Sequence, residues 1–212
     1  MKINKTKACY WAAGVLAAAA LVSPGKANAG IAGTMHDFSG RGWNSSKEIC
    51  IVCHTPHNAK TNNVSGALLW NRNLSVAVFT PYTSERMKAV TGQPNGATKL
   101  CLSCHDGTIA VDRFGYYNGG TEFVVGKWKL GTDISDDHPV SFTYDAALAA
   151  SVKTLKDPVL APSGLGGTIA QDLLRTGKLQ CVSCHNPHNN TNGKFLVKSN
   201  VGSALCLTCH NF

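Results

Sequence analysis

The chain is short of charge, and of acid above all. Only 15% of its 212 residues are charged, and 12 Asp+Glu stand against 20 Lys+Arg. A hydrophobic share of 43% is too high for a disordered polymer, and the 21 glycines follow no fixed period, which excludes a collagen-like chain. No cluster of Lys and Arg argues for a nucleic-acid partner. Past the first thirty positions no apolar run approaches the ~20 residues of a spanning helix, so no membrane span is expected. Methionine is scarce as well, with three residues in all. Beyond Cys9, no cysteine falls outside a single repeated pattern.

The first 29 residues read as a secretory signal peptide. Lys2, Lys5 and Lys7 form a basic start, and an apolar run follows from Trp11 to Val22. Ser23-Pro24-Gly25 breaks it, and Ala27-Asn28-Ala29 has the small-x-small form of a cleavage site. Cleavage there removes four lysines and no acid. It leaves 212 − 29 = 183 residues with a formal charge of +4 rather than +8. The protein is therefore expected outside the cytoplasm, extracellular or at the cell surface, with the periplasm as the alternative. The remaining chain, 30–212, suits one domain made of two modules, 30–112 and 113–212.

Eight cysteines remain, and all lie in four copies of one motif. The copies are Cys50-Ile51-Val52-Cys53-His54, Cys101-Leu102-Ser103-Cys104-His105, Cys181-Val182-Ser183-Cys184-His185 and Cys206-Leu207-Thr208-Cys209-His210. C-x-x-C-H is the attachment signature of c-type haem. On a helical turn residues i and i+3 share a face, so two thiols can meet the two vinyl groups along one porphyrin edge. The histidine that follows can swing its imidazole beneath the iron. Zinc sites, a thioredoxin-like pair or a disulfide framework would not require a histidine after every second cysteine. Four covalent haem c groups are expected.

The histidine count matches. His54, His105, His185 and His210 serve as proximal ligands, which leaves His36, His57, His138 and His188 for the four opposite faces. With that many imidazoles available, Met35 and Met87 read as packing residues. His57 and His188 lie three residues after a proximal ligand, in His54-Thr55-Pro56-His57 and His185-Asn186-Pro187-His188. Three residues span at most ~10 Å, too little to pass around a porphyrin to its other face. Each should bind a different, adjacent haem. Within a two-haem module this logic joins His57 to the haem of His105 and His188 to the haem of His210. His36 and His138 then serve the haems of His54 and His185 in an undetermined order.

Regular structure should be sparse. Residues 58–98 read mostly as loop, with a short helix over Ser84 to Val90. Arg113 to Leu130 could form at best a short hairpin. Tyr144 to Leu155 should be helical up to Asp157-Pro158, and a helix should start over Ile169 to Leu174. The expected fold is a multihaem cytochrome c: irregular loops and a few short α-helices around a haem core, with little β. Trp43, Trp70, Trp128, Phe114, Tyr116, Tyr117, Phe142 and Tyr144 are expected to pack on porphyrins. Each ferric bis-histidine haem with ionised propionates adds roughly −1, which offsets the +4 of the polypeptide.

The doubled modules with H-x-P-H carry a family likeness, together with Leu68-Leu69-Trp70, Asp106-Gly107-Thr108-Ile109-Ala110-Val111-Asp112 and Asp136-Asp137-His138-Pro139-Val140-Ser141-Phe142. In these segments the chain resembles the tetrahaem extracellular cytochromes of the OmcE type. The resemblance implies electron transfer through stacked bis-histidine haems, in filaments whose subunits share an axial histidine. The last motif ends two residues before Phe212 and His36 lies near the other end, so His36 is the candidate for donation in trans, with identical subunits joined head to tail. Redox partner proteins or external electron acceptors are the other expected partners. A soluble periplasmic shuttle would carry the same motifs. A multihaem reductase would need an open iron, and enough histidines are present to close all four, so no enzyme is expected.

Overall fold

A computed structural model describes residues 30–60, 64, 67–117 and 119–211. The segment 1–29, read above as a signal peptide, lies outside the described residues. Regular elements are short and far apart. In chain order they are β1 (Thr80–Pro81), α1 (Gly96–His105), β2 (Asp133–Ile134), β3 (Phe142–Thr143), α2 (Ala146–Ser151), α3 (Ile169–Asp172), β4 (Lys178–Leu179), α4 (Cys181–Cys184) and α5 (Cys206–Cys209). Single turns of 3-10 helix lie at Gly126–Trp128 and Val201–Ser203. β1 pairs in parallel with β2, Thr80 opposite Asp133, and β3 pairs antiparallel with β4, Phe142 opposite Leu179. The loop-rich, helix-poor architecture expected from the sequence is the one observed.

Polar side chains hold the loops. From Ile31 to Lys47 the chain makes successive i→i+3 turns, each closed by a backbone bond of 3.0–3.2 Å. Asn44 is fully buried, and its amide donates to the carbonyls of Phe38 and Glu48, both at 3.1 Å. Such side-chain-to-backbone bonds replace the ladders that helices and sheets would supply. The helices carry local signals of their own. Asp145 caps α2 by accepting from the Leu148 amide at 2.8 Å. Thr168 and Gln171 form a reciprocal capping box at the start of α3.

Some local expectations change. Ser84 to Val90 makes one turn, Met87 N to Ser84 O at 3.1 Å, and no helix. Arg113 to Leu130 forms no hairpin; its described residues contribute one 3-10 turn. The helix near Tyr144 is confined to Ala146–Ser151 and stops at the β-branched Val152. The longest helix, α1, begins inside the stretch read as loop and carries the second motif. It buries Ala97, Thr98, Leu100, Leu102 and Ser103, so several of its faces are covered.

Two apolar clusters occur among the described residues. One gathers Phe142, Tyr144, Ala149, Ile169, Leu173, Leu174 and Leu179; the other, smaller, holds Phe79, Leu102 and Ile134. Phe142 and Tyr144 thus belong to the polypeptide core, against which Cys209 of the fourth motif packs. Tyr144 also donates from its hydroxyl to the Lys156 carbonyl at 2.5 Å.

The junction of α1 and α4 fixes the middle of the molecule. Gln180, buried at the end of β4, accepts from the Thr98 amide at 3.1 Å, and Thr98 Oγ1 accepts from the Cys181 amide at 3.1 Å. Gly96 has φ +52, and a Cβ there would meet Gln180 Nε2 at 3.1 Å, so glycine serves both the left-handed backbone and the close approach. Thr98→Val keeps the volume but leaves the buried Cys181 amide without its acceptor. It should cost about 1–3 kcal/mol of stability, read as a lowered midpoint in thermal unfolding. An unchanged midpoint would show that the junction does not depend on this bond.

Candidate haem-binding site

Each motif forms the turn its spacing requires. The amides of His54, His185 and His210 donate to the carbonyls of Cys50, Cys181 and Cys206 at 2.8, 3.0 and 3.0 Å. The second motif is the last turn of α1. The two cysteines of each copy therefore share one face of a helical turn. All eight thiols are free of disulfides. No cluster of three or more His, Cys, Asp or Glu converges as a zinc site among the described residues. Burial pushes the Cys53 and Cys184 thiols up to about 11, each also raised by neighbouring cysteines. Such thiols are protonated at neutral pH, unlike reactive or zinc-binding thiolates.

Three proximal imidazoles are seated in the same way. Nδ1 of His54 bonds to the Leu68 carbonyl at 2.9 Å, Nδ1 of His105 to the Trp128 carbonyl at 2.8 Å, and Nδ1 of His185 to the Lys194 carbonyl at 2.9 Å. A carbonyl can only accept, so Nδ1 carries the proton and Nε2 keeps its lone pair for a metal. One opposite-face histidine follows suit: His138 Nδ1 bonds to the Pro139 carbonyl at 3.0 Å. The carbonyl loops involve left-handed residues at Leu69 (φ 52) and Lys194 (φ 49).

The first and third motifs are structural copies. Thr55 N bonds to Leu69 O at 2.8 Å and Asn71 N to Cys53 O at 2.9 Å. In the third motif Asn186 N bonds to Phe195 O at 2.7 Å and Val197 N to Cys184 O at 3.0 Å. The duplication thus extends past H-x-P-H to the returning strand-like segment, Leu68 to Asn71 in one copy and Lys194 to Val197 in the other. Sequence reasoning missed this, because the two return segments share little residue identity and the intervening loops differ in length.

The imidazoles meet in pairs from distant parts of the chain. His54 stands across from His188 with ring centroids 5.9 Å apart. His36 faces His105 at 6.2 Å, and His138 faces His210 at 6.3 Å. Two imidazole nitrogens on opposite sides of one metal ion, each about 2 Å from it, put the ring centroids about 6 Å apart. The donor set therefore fits iron held between paired imidazoles. Burial holds the His36 ring down to about 4, with the facing His105 adding to the effect. Burial and the facing imidazole also lower His188 (opposite His54) and His210 (opposite His138). Neutral rings are the form that ligates.

These pairs differ from the module-by-module scheme. His188 stands across from His54 of the first motif, and His138 across from His210 of the fourth. His36 stands across from His105 of the second motif. The cause is the docking of the leading segment on the exit of the third motif. Gly30 bridges Asn189, and a Cβ on Gly30 would lie 2.9 Å from the His188 carbonyl oxygen. This brings His36 onto Phe195, stacked at 4.4 Å, within reach of His105. His36 thus stands 6.2 Å from His105 of the same chain.

His57 and His185 are left over: among the described residues neither stands across from another imidazole. His57 is exposed and lines a cavity of about 620 Å³ with Trp43, Lys60, Phe114, Tyr116 and Tyr117. Trp70 packs edge-on to His54 at 6.1 Å, and its buried Nε1 finds no acceptor among the described residues. An orphaned donor beside a proximal histidine suits an anionic cofactor group. Apolar Leu68 and Trp128, next to the carbonyls that seat His54 and His105, stay 75% and 44% exposed, a surface a macrocycle would cover.

The motifs also adjoin in chain order. The thiols of Cys53 and Cys104, of Cys101 and Cys181, and of Cys184 and Cys209 lie within electrostatic reach of each other.

Residues 174–212 match the family described as doubled CXXCH motif. The match spans the third and fourth motifs. No curated protein matches the chain. Together with the seated imidazoles, the match supports a multihaem c-type cytochrome, with covalently bound haem and a role in electron transfer.

The pairing predicts separate effects for each distal histidine. His188→Ala and His36→Ala should each keep all haems attached and open one iron, and the double variant should open two. Carbon monoxide titration of the reduced protein would count them. Closed irons in all three variants would refute the pairing.

Proposed function

We propose that the chain carries electrons along a row of four bis-histidine c-type haems, as the subunit of an extracellular filament. The observation that carries this reading is the remainder left by the pairing: one seated proximal ligand, His185, without a partner, and one exposed histidine, His57, beside an aromatic cavity. One subunit's surplus satisfies the next subunit's deficit. His57, rather than His36, is then the residue donated in trans. A donor and a receiving site on different parts of one surface give a heterologous contact, which builds open helical polymers.

When bound, haem supplies an iron that changes oxidation state with little ligand rearrangement, at the lower potentials that paired imidazoles favour. The chain's part is to hold and orient. The carbonyls of Leu68, Trp128 and Lys194 fix the tautomer and plane of their imidazoles, and the adjoining cysteine pairs keep successive sites close. Export rests on the segment 1–29. No helix among the described residues is long and apolar enough to cross a membrane.

A reductase is the second reading. An isolated subunit would leave the His185 iron open on one side, as a substrate site requires. Assembly separates the two. His57→Ala should keep four haems, abolish filaments in electron micrographs and leave one high-spin iron per chain, whereas His36→Ala should still polymerise. Filaments of His57→Ala with unchanged low-spin spectra would refute the proposed contact.

A further inference from the structure

Arg72 is the largest fully buried side chain among the described residues, and it has no carboxylate partner there. Its Nη1 donates to the Val111 carbonyl at 2.6 Å and its Nη2 to the Ala110 carbonyl at 2.7 Å, while its Nε is buried with no acceptor. The two nearby buried acids are engaged elsewhere. Asp106 accepts from Thr108, and Asp112 accepts from the amides of Thr121 and Glu122. A guanidinium stays protonated in any protein environment. Neutral carbonyls satisfy its hydrogens but do not cancel its charge, and burying such a charge is costly.

Its place is specific. The preceding residue, Asn71, is latched to the first attachment turn, through its amide to the Cys53 carbonyl at 2.9 Å and its side chain to the Ile51 carbonyl at 2.6 Å. The guanidinium ends on the carbonyls of Ala110 and Val111, just beyond the second motif. It therefore sits between the first and second attachment turns. Lys156 and Lys198 stand near Cys209, but both are only half-buried, where solvent screens them.

The geometry points to Arg72 as a fixed positive charge that raises the reduction potentials of the haems at His54 and His105. The inference rests on the haem reading above. A cation in a low-dielectric interior destabilises the more positive ferric state relative to the ferrous one. Arg72 touches no ligand and acts through its field, so it is a tuning residue. A purely structural role, tying residues 110–111 to the first turn, would not move individual potentials in a charge-dependent way.

The test uses the full-chain holoprotein, with each haem followed by NMR through a redox titration. Arg72→Gln should keep four low-spin haems and shift two midpoints downward, those of His54 and His105, leaving the other two in place. Arg72→Lys, which retains the charge, should hold all four near the native values. Unchanged midpoints in Arg72→Gln, or equal downward shifts in both variants, would overturn the inference. If Arg72→Gln does not mature, the native protein decides: the haems of His54 and His105 should be reduced before that of His210, and the reverse order would overturn it. Failure of the haem reading itself looks different, because the native chain would then carry no haem.

Discussion

Three imidazoles hold their Nδ1 protons against main-chain carbonyls, at Leu68, Trp128 and Lys194, and much of the loop structure exists to present those carbonyls. Each bond fixes which nitrogen faces the metal and in which plane the ring lies. The residues that supply the carbonyl lie 9 to 23 positions away in sequence. An attachment motif is therefore complete only when a return segment folds back on it. The positive φ angles at Leu69 and Lys194 are local costs of aiming those segments.

That constraint explains the economy of the fold. Secondary structure concentrates where it places a motif: α1 carries the second, α4 and α5 the third and fourth, and β4 runs through Gln180 into α4. Elsewhere, turns closed by Asn, Asp, Ser and Thr side chains suffice. The apolar clusters are small for a chain of this length, and large side chains such as Leu68, Val76, Val78 and Tyr116 stay exposed. A covalently held macrocycle supplies the buried apolar surface that the polypeptide lacks.

The sites were legible in the sequence where their chemistry is local. C-x-x-C-H is a contact between residues one turn apart, so its spacing alone identifies the turn. Among the described residues neither His57 nor His188 faces the histidine three positions before it. The choice of partner was not legible. His54 and His188 belong to different modules, and no short-range pattern encodes their meeting. Helix α1 escaped notice because several of its faces are covered, which removes the one-sided apolar stripe that marks a surface helix. Arg72 escaped for a related reason, since arginine is seldom fully buried without an acidic partner.

The central claim is that every cysteine beyond the leading segment is spent on covalent haem. Intact mass spectrometry of the denatured protein, paired with thiol titration, tests this most directly. The account predicts the mass of the processed polypeptide plus four haems, with no reactive thiol among Cys50, Cys53, Cys101, Cys104, Cys181, Cys184, Cys206 and Cys209. A bare polypeptide mass with titratable thiols would contradict it.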